Sequence, residues 1–148
     1  MAEFATSIEI EATPEVVFDY LTTAAGMTAW MGEFADLDPR PGGRFAVDIA
    51  GHPVRGAYLV VERPRRVVVS WGMAESSELP PGASTVGFTL TATPGGTRVD
   101  LVHADLPEPQ VPGHADGWAH FVPRLRVAAS GADPEPPRIS ARTDFPPA

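Results

Sequence analysis

Cysteine and lysine are both absent from this 148-residue sequence. Without thiols there are no disulfides, thiolate nucleophiles, iron–sulfur clusters or cysteine-based zinc sites, and a reducing cytoplasm is the expected location. The eleven basic residues are all arginine, a skew that accompanies abundant Ala, Pro and Gly and assigns no site. Positive charge is scarce as well: nineteen acids give a net charge of -8, a field that repels phosphate backbones and anionic lipid. Neither nucleic acid nor a membrane is therefore expected as a partner. No apolar run has the length of a membrane span, and Met1-Ala2-Glu3-Phe4-Ala5-Thr6 lacks the basic and apolar segments of a signal peptide. What is present, 43% hydrophobic and 20% charged residues, is the composition of one soluble globular domain with a packed core.

Ile8 and Ile10 alternate with Ser7, Glu9 and Glu11, which predicts a strand over 4–11 with one buried face. Thr13 then offers an N-cap oxygen, Pro14 fits the first helical position and Glu15 puts negative charge in the first turn. The inner stripe of this helix is Val17, Phe18, Leu21 and Ala24, with Gly26 as its stop, and a second short helix over 27–31 carries Trp30. Short alternating segments follow at 33–38, 44–50, 54–62, 66–73, 84–93 and 97–105, divided by Pro- and Gly-rich turns, so they pair as an antiparallel meander. On β-parity the inward residues are Phe45, Val47 and Ile49, then Val67, Val69, Trp71 and Met73, then Val86, Phe88 and Leu90, then Val99, Leu101 and His103. For 54–62 two inward sets compete, Val54-Gly56-Tyr58-Val60 and Arg55-Ala57-Leu59-Val61, and Gly56 marks a bulge or a close approach.

The last element spans 113–130, with Trp118, Phe121, Val122, Leu125, Ala128 and Ala129 in one band and Asp116, His120 and Arg124 opposite. Pro123 falls on the polar side, where it deletes a backbone hydrogen bond and predicts a bend. Residues 132–148 read as a Pro-rich flexible tail and 1–131 as the folded domain. Strands followed by one long amphipathic helix give an α+β fold.

Several segments carry a more specific likeness: Ala12-Thr13-Pro14-Glu15-Val16-Val17-Phe18-Asp19-Tyr20-Leu21, Trp30-Met31-Gly32, Asp38-Pro39-Arg40-Pro41-Gly42-Gly43, Arg65-Arg66-Val67-Val68-Val69-Ser70-Trp71, and Gly117-Trp118 before Leu125. In that order, over about 4–130, they resemble the SRPBCC superfamily of START/Bet v 1-like helix-grip proteins, and within it the branch named for the activator of Hsp90 ATPase. The resemblance implies a curved antiparallel sheet of six to seven strands wrapped around a long C-terminal helix, with two short helices after the first strand. It also implies an internal pocket that holds hydrophobic molecules. Relatives include polyketide aromatase/cyclases, lipid carriers and antibiotic-sequestering proteins. The co-chaperone role belongs to larger proteins in which such a domain accompanies an Hsp90-binding domain, and no such second domain is read here.

Within that architecture the candidate ligand-binding residues are Trp30, Phe45, Tyr58, Trp71, Phe88, His103, Trp118, Phe121 and Leu125. Taken singly, each aromatic is ordinary core; taken as a set under a helix-grip roof, they line a cavity. His103 points inward, either as a satisfied core imidazole, the bland reading, or as a ligand donor or base. Tyr58 is the other inward group with a polar tip. No catalytic or metal site is assigned: His114 and His120 are six apart on the helix, HExxH is missing, the serines lack a G-x-S-x-G elbow, and Asp36, Asp38, Asp48 and Asp100 face solvent. Pro41-Gly42-Gly43 and Pro94-Gly95-Gly96 are turns, not phosphate loops. The expected function is non-catalytic binding of a small hydrophobic or amphipathic molecule without a cofactor. The alternatives are an aromatase/cyclase-like enzyme using His103 or Tyr58 in the same cavity, and a protein-interaction module, with homodimer formation left open.

Overall fold

A computed structural model describes residues 2–131 of the chain; the tail assigned to 132–148 lies outside the described residues. The elements are β1 (Ala2–Ile10), α1 (Pro14–Thr22), α2 (Ala24–Trp30), β2 (Phe34–Leu37), β3 (Arg44–Ile49), β4 (His52–Glu62), β5 (Arg66–Met73), β6 (Ser84–Thr93), β7 (Gly96–Leu106) and α3 (Val111–Ala129), with one 3-10 turn at Glu108–Gln110 leading into α3. The seven strands form a single antiparallel sheet in the order β1-β7-β6-β5-β4-β3-β2. From β2 to β7 the chain meanders, and the first strand returns to pair with the last. α3 is the long C-terminal helix of the helix-grip arrangement, and the two short helices follow the first strand.

The strand parities hold across β3, β5, β6 and β7, whose inward residues are all buried. β4 resolves its ambiguity with a bulge: Tyr58 pairs with Val69, but Val60 pairs with Val68, so Leu59 is the extra residue. Val54 and Tyr58 therefore face inward before the bulge and Val61 packs against the core after it, while Leu59 stands exposed. Each competing set is right on one side of Leu59. Gly56 is where the main chain of Ser70 comes closest, and Ser70 Oγ accepts from the Ala57 N–H at 2.8 Å.

At the helical pair the expectation needs correcting. α1 ends at Thr22, not at Gly26, because Thr23 adopts an extended backbone and caps both helices: its N–H donates to Asp19 O, and its Oγ1 accepts from Gly26 N. Ala24 is consequently exposed at the start of α2, and Gly26 lies inside α2, where a Cβ would meet Asp19 O at 2.6 Å. The Thr13 cap forms as expected, with Oγ1 accepting from Val16 N. α3 continues through Pro123, which lies on the exposed side.

The stretch between β5 and β6, whose Ser- and Pro-rich sequence predicts a turn, contributes Leu79 to the core with no exposed surface. It is folded back by Leu79 O, which accepts from Met73 N, and by Gly72, whose missing side chain leaves room for the Pro80 carbonyl. Among the described residues no helix is long and apolar enough to cross a membrane.

Candidate functional site

Strand parity sends Trp71 from β5, Phe88 from β6 and His103 from β7 to one side of the sheet, and α3 lays Trp118 over them. The rings touch throughout: Trp71 lies 5.2 Å from Trp118 and 6.0 Å from Phe45, Phe45 lies 5.7 Å from Tyr58, and Phe88 bridges Trp118 at 6.3 Å to Trp30 at 6.4 Å. Most of these pairs are edge-on or tilted, the arrangement favoured by ring quadrupoles. All of Trp30, Phe45, Tyr58, Trp71, Phe88, His103, Trp118, Phe121 and Leu125 are at most 4% exposed. Phe121, on the same buried stripe as Trp118, meets the His120 ring at 4.7 Å, and Leu125 continues that stripe.

His103 is held at the centre of a directed chain. The Trp118 indole N–H can only donate, and it reaches His103 Nδ1 at 3.1 Å, so that nitrogen carries the lone pair. Nε2 therefore carries the proton and donates to Ser84 Oγ at 2.9 Å, and the Ser84 hydroxyl donates to Trp71 O at 2.7 Å. Both ring nitrogens are satisfied inside the core. Burial, with a smaller contribution from neighbouring His114, pushes the His103 pKa down to about 2, so the ring is neutral at any ordinary pH.

His114 stands beside it, ring centroids 5.0 Å apart and nearly perpendicular. Its Nδ1 donates to the Gln110 carbonyl at 2.9 Å; burial lowers its pKa against the raising effect of that carbonyl. Sequence reasoning weighed His114 only against His120 and missed this contact. The signal was there: His114 is four residues before Trp118, on the same helical stripe.

Tyr58 and Trp30 spend their polar atoms on the helical pair. Tyr58 O–H donates to Leu21 O at 2.9 Å, and burial raises its pKa, so it stays a neutral phenol. Trp30 Nε1 donates to Tyr20 O at 3.0 Å, Arg124 Nε from α3 donates to Trp30 O at 3.1 Å, and Tyr20 O–H ties to Ala128 O at 3.0 Å. α1 and α2 are thereby latched to α3 over one end of the ring cluster. At the other end Gln110 Nε2, just before α3, donates to Glu78 Oε1 at 3.1 Å, fastening the β5–β6 loop.

The carboxylates named from sequence lie on the solvent side in arginine pairs, Asp36 with Arg44, Asp38 with Arg40, Asp48 with Arg55 and Asp100 with Arg98. Among the described residues no three His, Cys, Asp or Glu side chains gather where a metal could bind. One open cleft, of about 730 Å³, lies between the start of α1, the β4–β5 turn and β6; no member of the ring cluster lines it.

This combination of a seven-stranded antiparallel sheet, a helical pair after β1 and a long C-terminal helix over an aromatic interior agrees with the family model described as activator of Hsp90 ATPase homolog 1-like protein, which matches residues 11–130. The chain belongs to that family. It is thus a member of the SRPBCC superfamily. An AHSA1-like protein from Rhizobium etli, solved in solution, is 33% identical, with a TM-score of 0.73 over 93% of this chain and 88% of that one. The Aha1 dimer from Colwellia psychrerythraea shares the fold at 20% identity, with a TM-score of 0.77 over 88% of this chain and 98% of that one. DynU16, from the dynemicin biosynthetic locus, shares it at 21% identity and a TM-score of 0.76, over 89% of this chain and 48% of that one. No curated protein matches.

Proposed function

We propose that this family member binds a small apolar or amphipathic molecule between α3 and the inward face of the sheet, and performs no chemistry on it. The observation that carries this reading is the composition of that interior. Large flat rings from β3, β5, β6 and α3 meet there around two uncharged imidazoles, the mixture of apolar wall and few polar groups typical of small-molecule sites. A guest would lie among Trp71, Phe88 and Trp118. It would enter by loosening either latch, Arg124–Trp30 at the helical pair or Gln110–Glu78 at the loop. The superfamily's common use of this space for hydrophobic ligands supports the reading, and DynU16 places the fold near natural-product biosynthesis in another protein.

An aromatase/cyclase-like activity has less to work with. His103 gives both nitrogens to the core, and Tyr58 gives its hydroxyl to Leu21. A substrate would have to break one of these bonds to find a proton donor or acceptor.

The test is a panel of fatty acids, sterols and polycyclic aromatic polyketides, read by thermal shift and by NMR of the tryptophan indole N–H groups. A true ligand at a hundred times its dissociation constant stabilises the fold by about 2.7 kcal/mol. It should also move the Trp71 and Trp118 indole resonances. If no compound shifts the melt, and those resonances stay still throughout, the domain is not a binding protein of this kind.

A further inference from the structure

The side of the sheet facing away from α3 shows a pattern that the ring cluster does not involve. Pairing registers align Ala5, Val102, Gly87, Val68 and Val60 in one row across β1, β7, β6, β5 and β4. The row carries no charge; Ala5 and Val102 are exposed, and the other three are half-buried. Leu59, lifted out by the β4 bulge, is exposed next to it. The next row is Ser7, Asp100, Thr89, Arg66 and Glu62. At the middle of the apolar row stands Gly87, where an added Cβ would meet nothing closer than Val68 Cγ2 at 3.7 Å, an ordinary contact. Gly87 also lacks the positive φ that would call for glycine. A glycine inside a strand forfeits packing and backbone entropy, and one common reason for it is the close approach of another backbone.

We infer that this face is where two copies of the chain pack sheet against sheet, about a two-fold axis running along β6 through Gly87. Such an axis keeps each row at its level and exchanges strands on either side of β6. It sets Gly87 against its own copy, Val68 against the partner's Val102, and Val60 against the partner's Ala5. In the next row it sets Arg66 against the partner's Asp100, twice by symmetry, and Glu62 against the partner's Ser7. The Arg66 side chain makes no ion pair or hydrogen bond among the described residues, and Asp100 uses only Oδ1 on Arg98. One unpaired cation and one half-used carboxylate thus meet across the axis. The charge pattern selects this orientation, since turning one copy end for end would remove the match. Face-to-face sheets pack about 10 Å apart when the central side chains are small, the spacing that a glycine on the axis allows.

With strands about 4.8 Å apart and rows about 7 Å apart, the two rows and their margins cover on the order of 500 Å² per copy, below the roughly 800 Å² of a stable complex. The dimer is accordingly weak and concentration-dependent. It is measured by sedimentation velocity and NMR translational diffusion on the full chain from about 0.02 to 1 mM, the range in which interfaces of this size associate.

Wild-type protein should pass from monomer towards dimer over that range. Gly87→Leu, whose Cβ meets only an ordinary contact with Val68 on a half-exposed face, should keep the wild-type circular dichroism and melt yet stay monomeric. Val102→Arg should do the same. Arg66→Asp alone and Asp100→Arg alone should each weaken association at least tenfold, and the two together should restore it to within about threefold. A wild type that stays monomeric at the top concentration overturns the inference. So does a dimer whose affinity survives Gly87→Leu and Val102→Arg, which would put the contact on an edge strand, or a charge swap that fails to restore association.

Discussion

Lowering the pH from 7.5 to 5.0 should destabilise this domain through its buried imidazoles. His103 has a pKa of about 2 in the fold against 6.5 as an ordinary imidazole, because burial disfavours its charged form and His114 adds to the penalty. Between those two values the unfolded chain holds more protons than the folded one, so stability falls as pH drops below 6.5. At pH 5.0 the loss from His103 alone is about 2 kcal/mol relative to pH 7.5. The ring has no exposed surface, so solvent screening does not reduce the figure. His114, also lowered by burial, adds in the same direction.

Urea unfolding read by tryptophan fluorescence measures the effect; with an m-value of about 2 kcal/mol per molar, the midpoint should fall by at least about 1 M across this interval. His103→Gln cannot take up a proton, so it should lower stability at pH 7.5 but flatten the remaining slope. The reasoning fails if the wild-type midpoint is the same at both pH values. It fails equally if the His103 ring resonances of the folded protein titrate near the ordinary imidazole value.

Two further substitutions probe the interior. Trp118→Ala empties the centre of the ring cluster and leaves His103 Nδ1 without its donor; chemical denaturation should report a loss of about 3–5 kcal/mol, and a loss under 1 kcal/mol would mean the ring is not core. Gly72→Ala drives a methyl group into the Pro80 carbonyl that folds the β5–β6 loop over Leu79, and should cost at least about 2 kcal/mol. An unchanged melting temperature for Gly72→Ala would show that the loop moves aside at little cost.

What could be read in advance tracked how local each feature is. The Thr13 cap, the parities of β3, β5, β6 and β7, and the buried stripe of α3 depend on neighbours a few residues away, and the periods of 2 and 3.6 expose them directly. Gly26 misled because Thr23 could cap two helices at once, a choice made by the turn as a whole. β4 was undecidable because both of its faces are largely apolar; only pairing with β5 shows that Leu59 is the bulged residue and that parity changes there. Leu79 was lost in a Pro- and Ser-rich stretch whose composition says turn and whose tertiary position says core.

The candidate site divides along the same line. Sequence periodicity alone determined that Trp71, Phe88, His103 and Trp118 face one interior, since each lies on a regular element whose buried side is set by its own pattern. It could not determine what those side chains do to one another. That His103 is locked between Trp118 and Ser84, that His114 meets it edge-on, and that Gly87 lies at the middle of an uncharged row all depend on register between strands and on the docking of α3. Register and docking are decided by the packing of segments distant in the chain. A neutral imidazole with both nitrogens occupied is therefore a property of the assembled core, while the residues that compose it are a property of the sequence.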